Sequence, residues 1–193
     1  FSNLYWIKFF KELNAMEKNL SKYQKRLRNS FLNPFSFSLF FLFNVPMGWF
    51  SGMKLKHLDT KKAISKVPFK FFYRWQNKNP FKSIYFAVQC MGAELSSASM
   101  VALAVEGQKP SFAYIVTKMR SQYFKKATGT TTFTCNDGDK IFNAVDKALK
   151  TKEGMEIEAK TTGTLDDGTI VSEFYFTWSI KQRKKWSYQK MLN

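Results

Sequence analysis

Histidine, cysteine and acidic residues are all scarce in this chain. It has one His, two Cys and 14 Asp or Glu against 31 Lys or Arg, which gives a formal net charge of +17. Two cysteines, Cys90 and Cys135, cannot form a disulfide framework, so the sequence predicts an intracellular, cytoplasmic protein. His57 and these two thiols are too few soft ligands for a zinc site, and we predict no metal.

Long apolar runs are also lacking. The most membrane-like stretch, residues 31–50, is broken by Asn, Ser and Pro, and its longest apolar run is residues 39–43. A spanning helix needs about 20 mostly apolar residues, so we predict no transmembrane segment there. The chain is nevertheless 45% hydrophobic and 18% aromatic. That composition excludes disorder for most of its length and allows one domain with a sizeable core.

The excess of positive charge indicates a partner that carries phosphate or carboxylate groups. Nucleic acid, an anionic membrane and a phosphorylated coenzyme all fit that description. Residues 54–82 contribute most to the charge, with nine basic residues and one acid, Asp59. No RNA-recognition motif, zinc finger or supported basic recognition helix accompanies the charge, so nucleic acid is the weaker alternative.

The pattern of the amino-terminal residues predicts helices. Leu13, Met16, Leu20, Tyr23 and Leu27 recur at steps of three and four, which predicts one amphipathic helix over residues 2–29 with a basic opposite face. This helix either packs on the domain or a second subunit, or lies on an anionic membrane as a peripheral contact. Residues 31–43 predict a short buried helix, and residues 46–49 predict a turn.

The rest of the chain predicts strands around one unusual helix. Residues 83–105 carry a single charge, Glu94, and a helix that is apolar nearly all round is expected in a protein core. Alternation of apolar and polar residues predicts the strands, and the segment from Gly138 to Lys150 predicts a short helix. The pattern changes to strand at Lys54, and the expected strands after it are residues 63–71, 111–120, 124–135, 155–165 and 169–182. Composition predicts a loop at residues 76–80. Asp166-Asp167-Gly168 predicts a hairpin turn between the last two strands, because Gly tolerates the positive φ required. The predicted fold class is α+β, with a mostly antiparallel sheet against one helix.

Glu94 is the candidate for chemistry. An ionised carboxylate in an apolar setting is costly, and burial raises its pKa toward the range that suits a general acid or base. A structural role, with the carboxylate reaching solvent at a subunit interface, is the alternative. Asn79 precedes the helix and either caps it or binds a ligand carbonyl. Backbone N–H groups at the helix start could stabilise an oxyanion, and Tyr85 and Gln89 lie one turn apart.

These segments resemble a known family. Residues 79–98, NPFKSIYFAVQCMGAELSSA, look like the central-helix segment of hotdog-fold thioesterases, in which Asn or His precedes the helix and an acid follows about two turns later. Tyr123-Phe124-Lys125-Lys126-Ala127 resembles the segment that opens the next strand, with Lys126 where Pro is usual. The similarity is greatest to the thioesterase-like branch of unknown function. The His-Gly-Gly of the helix start is replaced by Tyr85-Phe86-Ala87.

The resemblance implies a hotdog fold over residues 46–183, in which an antiparallel sheet wraps one central helix. Residues 1–45 would be a helical extension and residues 184–193 a basic tail. It also implies a homodimer or homotetramer with sites between subunits, and acyl-CoA or acyl-carrier-protein thioesters as substrates, with no other cofactor. Glu94 and Asn79 would be catalytic, and residues 31–50 would shape the acyl pocket. The implied substrate-binding residues are Phe81, Ser83, Tyr85, Phe86 and Gln89, and the implied phosphate-binding residues are Lys118, Arg120, Lys125 and Lys126.

Two hypotheses follow for function. The first is a thioester hydrolase that uses Glu94. The second is a non-catalytic protein on the same fold that binds acyl ligands, which is suggested by the missing glycines of the helix start.

Overall fold

A six-stranded antiparallel sheet curves around one long helix in the computed structural model, which describes residues 20–183. The strand order is β1-β2-β4-β5-β6-β3, and every neighbouring pair is antiparallel. The predicted α+β class is confirmed. The elements are α1 (Lys22–Leu32), α2 (Pro34–Asn44), α3 (Pro46–Phe50), β1 (Lys54–Leu58), β2 (Ala63–Val67), α4 (Phe71–Asn77), α5 (Phe86–Val105), β3 (Phe112–Tyr123), β4 (Thr131–Cys135), α6 (Gly138–Thr151), β5 (Met155–Thr164) and β6 (Ile170–Gln182).

Helix α5 is the helix that the sheet encloses. It packs against β1, β2, β4, β5 and β6, and α6 contacts it as well. Its small residues allow this close approach: a Cβ at Gly92 would lie 2.9 Å from ring carbons of Phe133. Polar atoms inside the contact are paired, since Ser65 donates to the Gly92 carbonyl and Ser96 Oγ lies 3.3 Å from Thr161 Oγ1. The serine side chains of α5 therefore lie in a protein core in which their hydroxyl groups have hydrogen-bond partners.

The inner face of the sheet follows the predicted alternation. Phe174, Phe176, Trp178 and Ile180 of β6 are all buried against the helix. The hairpin between β5 and β6 turns at residues 166–168, where Gly168 has a φ of +83°. That left-handed backbone suits Gly, as predicted for this turn.

The prediction of one continuous helix over residues 2–29 is wrong at its described end. Ser21 has extended backbone and caps a new helix, α1, which starts at Lys22 and ends at Leu32. Ser21 and Gln24 form a capping box, which is a signal for a helix start. Gln24, not Tyr23, is the buried residue of α1, and its Nε2 donates to the Leu103 carbonyl at 3.0 Å. Residues 2–19 lie outside the described residues.

Helix α2 is exposed, although the sequence predicts a buried helix. Only Phe37 and Phe41 are buried, and they belong to the same core as the sheet residues. Asn33 caps this helix through its side chain, and Pro34 occupies the first turn, where its missing N–H is tolerated. The turn predicted at residues 46–49 is wrong, because Pro46 starts the short helix α3.

Two predicted strands are too long. Strand β2 ends at Val67, and residues 71–77 form helix α4, which includes part of the loop predicted at residues 76–80. Residues 124–130 belong to no strand, so β4 begins only at Thr131. The aromatic residues there favour strand locally, but Phe124 remains half-exposed outside the sheet. The basic tail, residues 184–193, lies outside the described residues.

Among residues 20–183, α5 is the one helix long and apolar enough to cross a membrane. More than half of that stretch, 61%, is buried inside the fold. The surrounding sheet accounts for its apolar character, as expected for a core helix.

Candidate functional site

Glu94 lies in the middle of α5 and faces a cavity of about 420 Å³, here called the Glu94 cavity. Its walls are almost entirely apolar. Helix α2 closes one side and the first half of β3 closes another, because the sheet leaves α5 uncovered between its two edge strands. The wall residues include Phe37, Phe40, Phe41, Leu95, Ala98, Tyr114, Val116 and Trp178.

Burial raises the pKa of the Glu94 carboxyl above its ordinary value. The helix supplies no compensating charge, and no Lys or Arg of residues 20–183 forms an ion pair with Glu94. Burial, followed by the negative charge of Glu94, also raises the pKa values of Cys90 and Tyr114. A carboxylate whose pKa is raised is a stronger base than an ordinary one, which suits proton transfer.

A short chain of hydrogen bonds fixes the turn of α5 that carries Glu94. Trp178 Nε1 on β6 donates to Ser97 Oγ at 3.2 Å, and Ser97 Oγ donates to the main-chain carbonyl of Glu94 at 3.1 Å. Tyr114 packs against Trp178 with ring centroids 6.1 Å apart. The main chain is therefore anchored to the sheet, while the carboxylate projects into the cavity.

Asn79 organises the loop before α5 and does not cap the helix. Its Oδ1 accepts hydrogen bonds from the N–H groups of Phe81 at 3.0 Å and Ser83 at 3.2 Å, and from Ser83 Oγ at 3.2 Å. Within the described part of the chain, its Nδ2 has no hydrogen-bond partner. That amide group is free to donate to a ligand carbonyl.

A second cavity of about 330 Å³, here called the helix-start cavity, lies at the amino end of α5. It brings together six of the predicted site residues with two aromatic residues that sequence reasoning missed, Tyr123 and Phe124. Helix α5 begins here without a side-chain cap, so its first N–H groups remain available to a ligand. The six predicted residues are Asn79, Ser83, Phe86, Gln89, Lys125 and Lys126.

Gln89 lines this cavity but its polar atoms are engaged inside the protein. The side chain is buried, its Nε2 donates to the Ile84 carbonyl at 3.2 Å, and its Oε1 accepts from Ser172 Oγ at 3.0 Å. These bonds position the first turn of α5 against β6.

Phe81 and Tyr85 lie beside the helix-start cavity. Phe81 is exposed, with Lys126 Nζ 5.9 Å from its ring centroid. Tyr85 is also exposed and packs edge-on against Phe86, with ring centroids 4.7 Å apart.

Lys118 and Arg120, which the resemblance implies as phosphate-binding residues, do not line the helix-start cavity. Arg120 pairs in register with Tyr175, and Lys118 with Thr177, on the face of the sheet opposite to buried Phe174 and Phe176. Arg120 is already engaged, because it binds Glu158 through Nη2 at 2.9 Å and covers the Tyr175 ring at 3.5 Å. The bulge after Val116 shifts the register and turns these two side chains outward. Lys125 and Lys126 remain as the basic pair at the helix start.

The two cavities share no wall residue in one chain. Glu94 lies eight residues beyond Phe86, which is about 12 Å along a helix axis. Asn79 and Glu94 therefore do not meet within a single protomer. Sequence reasoning also missed Tyr114 and Trp178 as wall residues of the Glu94 cavity. The available signal was that side chains along β3 and β6 alternate between the two faces of the sheet.

Known proteins match both the sequence and the fold. A family model described as "Domain of unknown function (DUF4442)" matches residues 35–180. The chain belongs to this family. No curated protein matches the chain.

Solved structures similar to this DUF4442 protein include proteins described as thioesterases. One, from Pseudomonas aeruginosa, is described as a probable thioesterase; it is 17% identical, with a TM-score of 0.64 over 78% of this chain and 97% of its own. A protein of unknown function from Chlorobaculum tepidum is also 17% identical, with a TM-score of 0.64 over 80% and 99%. A thioesterase from Haemophilus influenzae is 8% identical, with a TM-score of 0.53 over 75% and 88%. These similarities confirm the predicted hotdog fold.

Proposed function

We propose that this DUF4442 protein hydrolyses acyl thioesters of coenzyme A or an acyl carrier protein. The observation that carries the proposal is Glu94, a half-buried carboxylate that no basic side chain of the described residues neutralises and that faces an apolar cavity. The fold shared with structures described as thioesterases supports the same reaction. Aromatic walls suit an acyl chain, and the raised pKa of the Glu94 carboxyl suits a general base.

The chemistry follows from the groups present. Glu94 takes a proton from water, and the water oxygen forms a bond to the thioester carbonyl carbon. Because Asn79 and Glu94 of one chain lie in separate cavities, the donors would come from a second copy of the chain. The oxyanion of the tetrahedral intermediate would accept hydrogen bonds from main-chain N–H groups at the start of that copy's α5 and from its Asn79 Nδ2. When the carbon–sulfur bond breaks, the thiolate leaves and takes up the proton from Glu94. The products are a carboxylic acid and a thiol.

A second copy of the chain would complete this site. Strand β3 is an edge strand of 12 residues whose outer side pairs with no strand of the described chain, and exposed edges of this kind are usually covered. Pairing two copies along β3 would place Glu94 of one protomer near the helix start of its partner. We therefore propose a homodimer, or a tetramer built from it, as the active form.

The substrate's phosphate groups would be met by Lys125 and Lys126. Both side chains are exposed and line the helix-start cavity, on the same side as Asn79. Charge-assisted hydrogen bonds from Lys to phosphate are strong. This arrangement supports a substrate that carries a phosphopantetheine arm, and we propose that the enzyme acts in the cytoplasm. We propose that no cofactor besides the coenzyme of the substrate takes part.

The experiment is a thiol-release assay over acyl-CoA chain lengths with native protein, Glu94→Gln and Glu106→Gln. Glu94→Gln keeps the shape of the side chain and removes the base, so we expect turnover to fall at least about 100-fold. Glu106→Gln changes a carboxylate just beyond the carboxyl end of α5 and should retain turnover. Equal rates for native protein and Glu94→Gln would refute the role of Glu94.

A non-catalytic acyl-binding protein is the second candidate, and Phe86 favours it. This aromatic side chain lines the helix-start cavity in place of the glycine that lets a thioester approach the main chain. Such a protein would be stabilised by acyl-CoA and return it intact. A rise in melting temperature with acyl-CoA, with no thiol released by native protein, would select this function over hydrolysis.

A further inference from the structure

Helix α2 is apolar on both of its faces, although only one face is covered. Phe37 and Phe41 point into the core, while Phe35, Leu39 and Phe43 recur on the opposite side and are 74%, 42% and 78% exposed. A helix that is apolar all round is expected to be buried in protein or lipid. The outer face of α2 therefore needs an apolar partner that residues 20–183 do not supply.

Two neighbouring helices extend this apolar surface. Met47 and Trp49 are exposed on α3, and Trp49 Nε1 donates to Ser38 Oγ of α2 at 3.0 Å, which holds the two helices together. Helix α4 adds Phe71, Phe72 and Trp75, of which Phe71 is 95% exposed. We call these exposed side chains of α2, α3 and α4 the aromatic surface.

The three helices meet around the mouth of a third cavity, of about 700 Å³. Its lining includes Ser38 of α2, Trp49 and Phe50 of α3, and Phe72 of α4. This cavity and the Glu94 cavity share the walls Phe31, Phe37, Phe41 and Met53. Trp49 and Phe72 of the aromatic surface thus line a cavity that adjoins the cavity of Glu94.

The charge of the residues around the aromatic surface indicates which kind of partner covers it. Residues 31–53 contain no charged residue, and basic residues border them on the surface. From residue 18 to residue 93 the only acid is Asp59, which is buried and bound to His57 and to the N–H groups of Lys61 and Lys62. Lys54 and Lys56 line the third cavity, and Lys70, Arg74 and Lys78 lie on α4 or directly beside it in the chain; all five are exposed.

We propose that the aromatic surface docks this protein on an anionic lipid bilayer. Phe and Trp favour the boundary between headgroups and acyl chains, and Lys and Arg are attracted to anionic headgroups. Two copies of the chain facing each other through this surface would bring two basic rims together, which is unfavourable. Docking would also bring the third cavity, which Trp49 and Phe72 line, close to the acyl chains of the lipid. The proposal does not depend on hydrolysis.

The test is co-sedimentation of the full chain with phosphatidylcholine vesicles, with and without phosphatidylserine. We expect binding only when phosphatidylserine is present, and a loss of at least about tenfold for Phe35→Ser combined with Phe43→Ser. Phe124→Ser, at an exposed aromatic residue outside the surface, is the matched control and should bind as the native protein does.

A second pair of variants tests the charge. Lys70→Glu with Arg74→Glu should also lose about tenfold, whereas Lys147→Glu with Lys150→Glu, the same charge change on α6, should not. Equal vesicle binding by the Phe35→Ser, Phe43→Ser variant and native protein would overturn the proposal. So would conversion of a dimer to a monomer by that variant in sedimentation experiments, since the aromatic surface would then contact a second copy.

Discussion

Glu94 is a charged group that folding takes partly out of water. Its pKa is raised by burial alone, so the folded protein binds the proton more tightly than the unfolded chain does. When a carboxyl has a higher pKa in the folded than in the unfolded state, its contribution to the free energy of unfolding is fully present below the unfolded-state pKa. That contribution is lost as the pH rises through the folded-state pKa.

We therefore expect Glu94→Gln to raise the melting temperature at pH 8, because the uncharged amide avoids the desolvated charge. The gain should shrink toward pH 4, where native Glu94 is protonated. Thermal unfolding across this pH range measures the effect, with exposed Glu156→Gln as the control. A variant that is less stable than the native protein at pH 8 would show that the carboxylate has a stabilising partner.

At the scale of elements, the contact between α5 and the sheet depends on the absence of a side chain at Gly92. A Cβ there would overlap Val67 of β2 and approach Phe133 of β4. Neither neighbour has room to move, since both are fully buried.

We expect Gly92→Ala to destabilise the fold by about 1–3 kcal/mol, the usual cost of overpacking a core. Gly129→Ala is the matched control, because its Cβ would meet only Leu165 at an ordinary 3.7 Å. Denaturant unfolding gives both free energies. A cost for Gly92→Ala no greater than for Gly129→Ala would mean that the helix can shift away from the sheet.

At the scale of the whole molecule, β3 and the aromatic surface are two separate exposed regions, and we assign them different partners. Ile115 and Met119 of β3 are 65% and 46% exposed, beside an edge of the sheet that no other described strand covers. A second copy of β3 fits that edge.

We expect Ile115→Lys combined with Met119→Lys to halve the mass measured by light scattering and to reduce thioester hydrolysis with it, because each site would need both protomers. Ile170→Lys, at an exposed position where β6 begins, should leave the mass unchanged. A native protein that is monomeric and hydrolyses acyl-CoA would contradict the proposed shared site.

The sequence by itself determined the α+β class, the buried helix around Glu94, the β5–β6 hairpin and the family. Periodicity and turn residues are local, so they can be read without a structure. Only the tertiary structure showed that α2 is exposed, that Lys118 and Arg120 face outward, and that Asn79 and Glu94 occupy separate cavities. Those facts depend on strand register and on which surfaces meet, and residues far apart in the chain decide both.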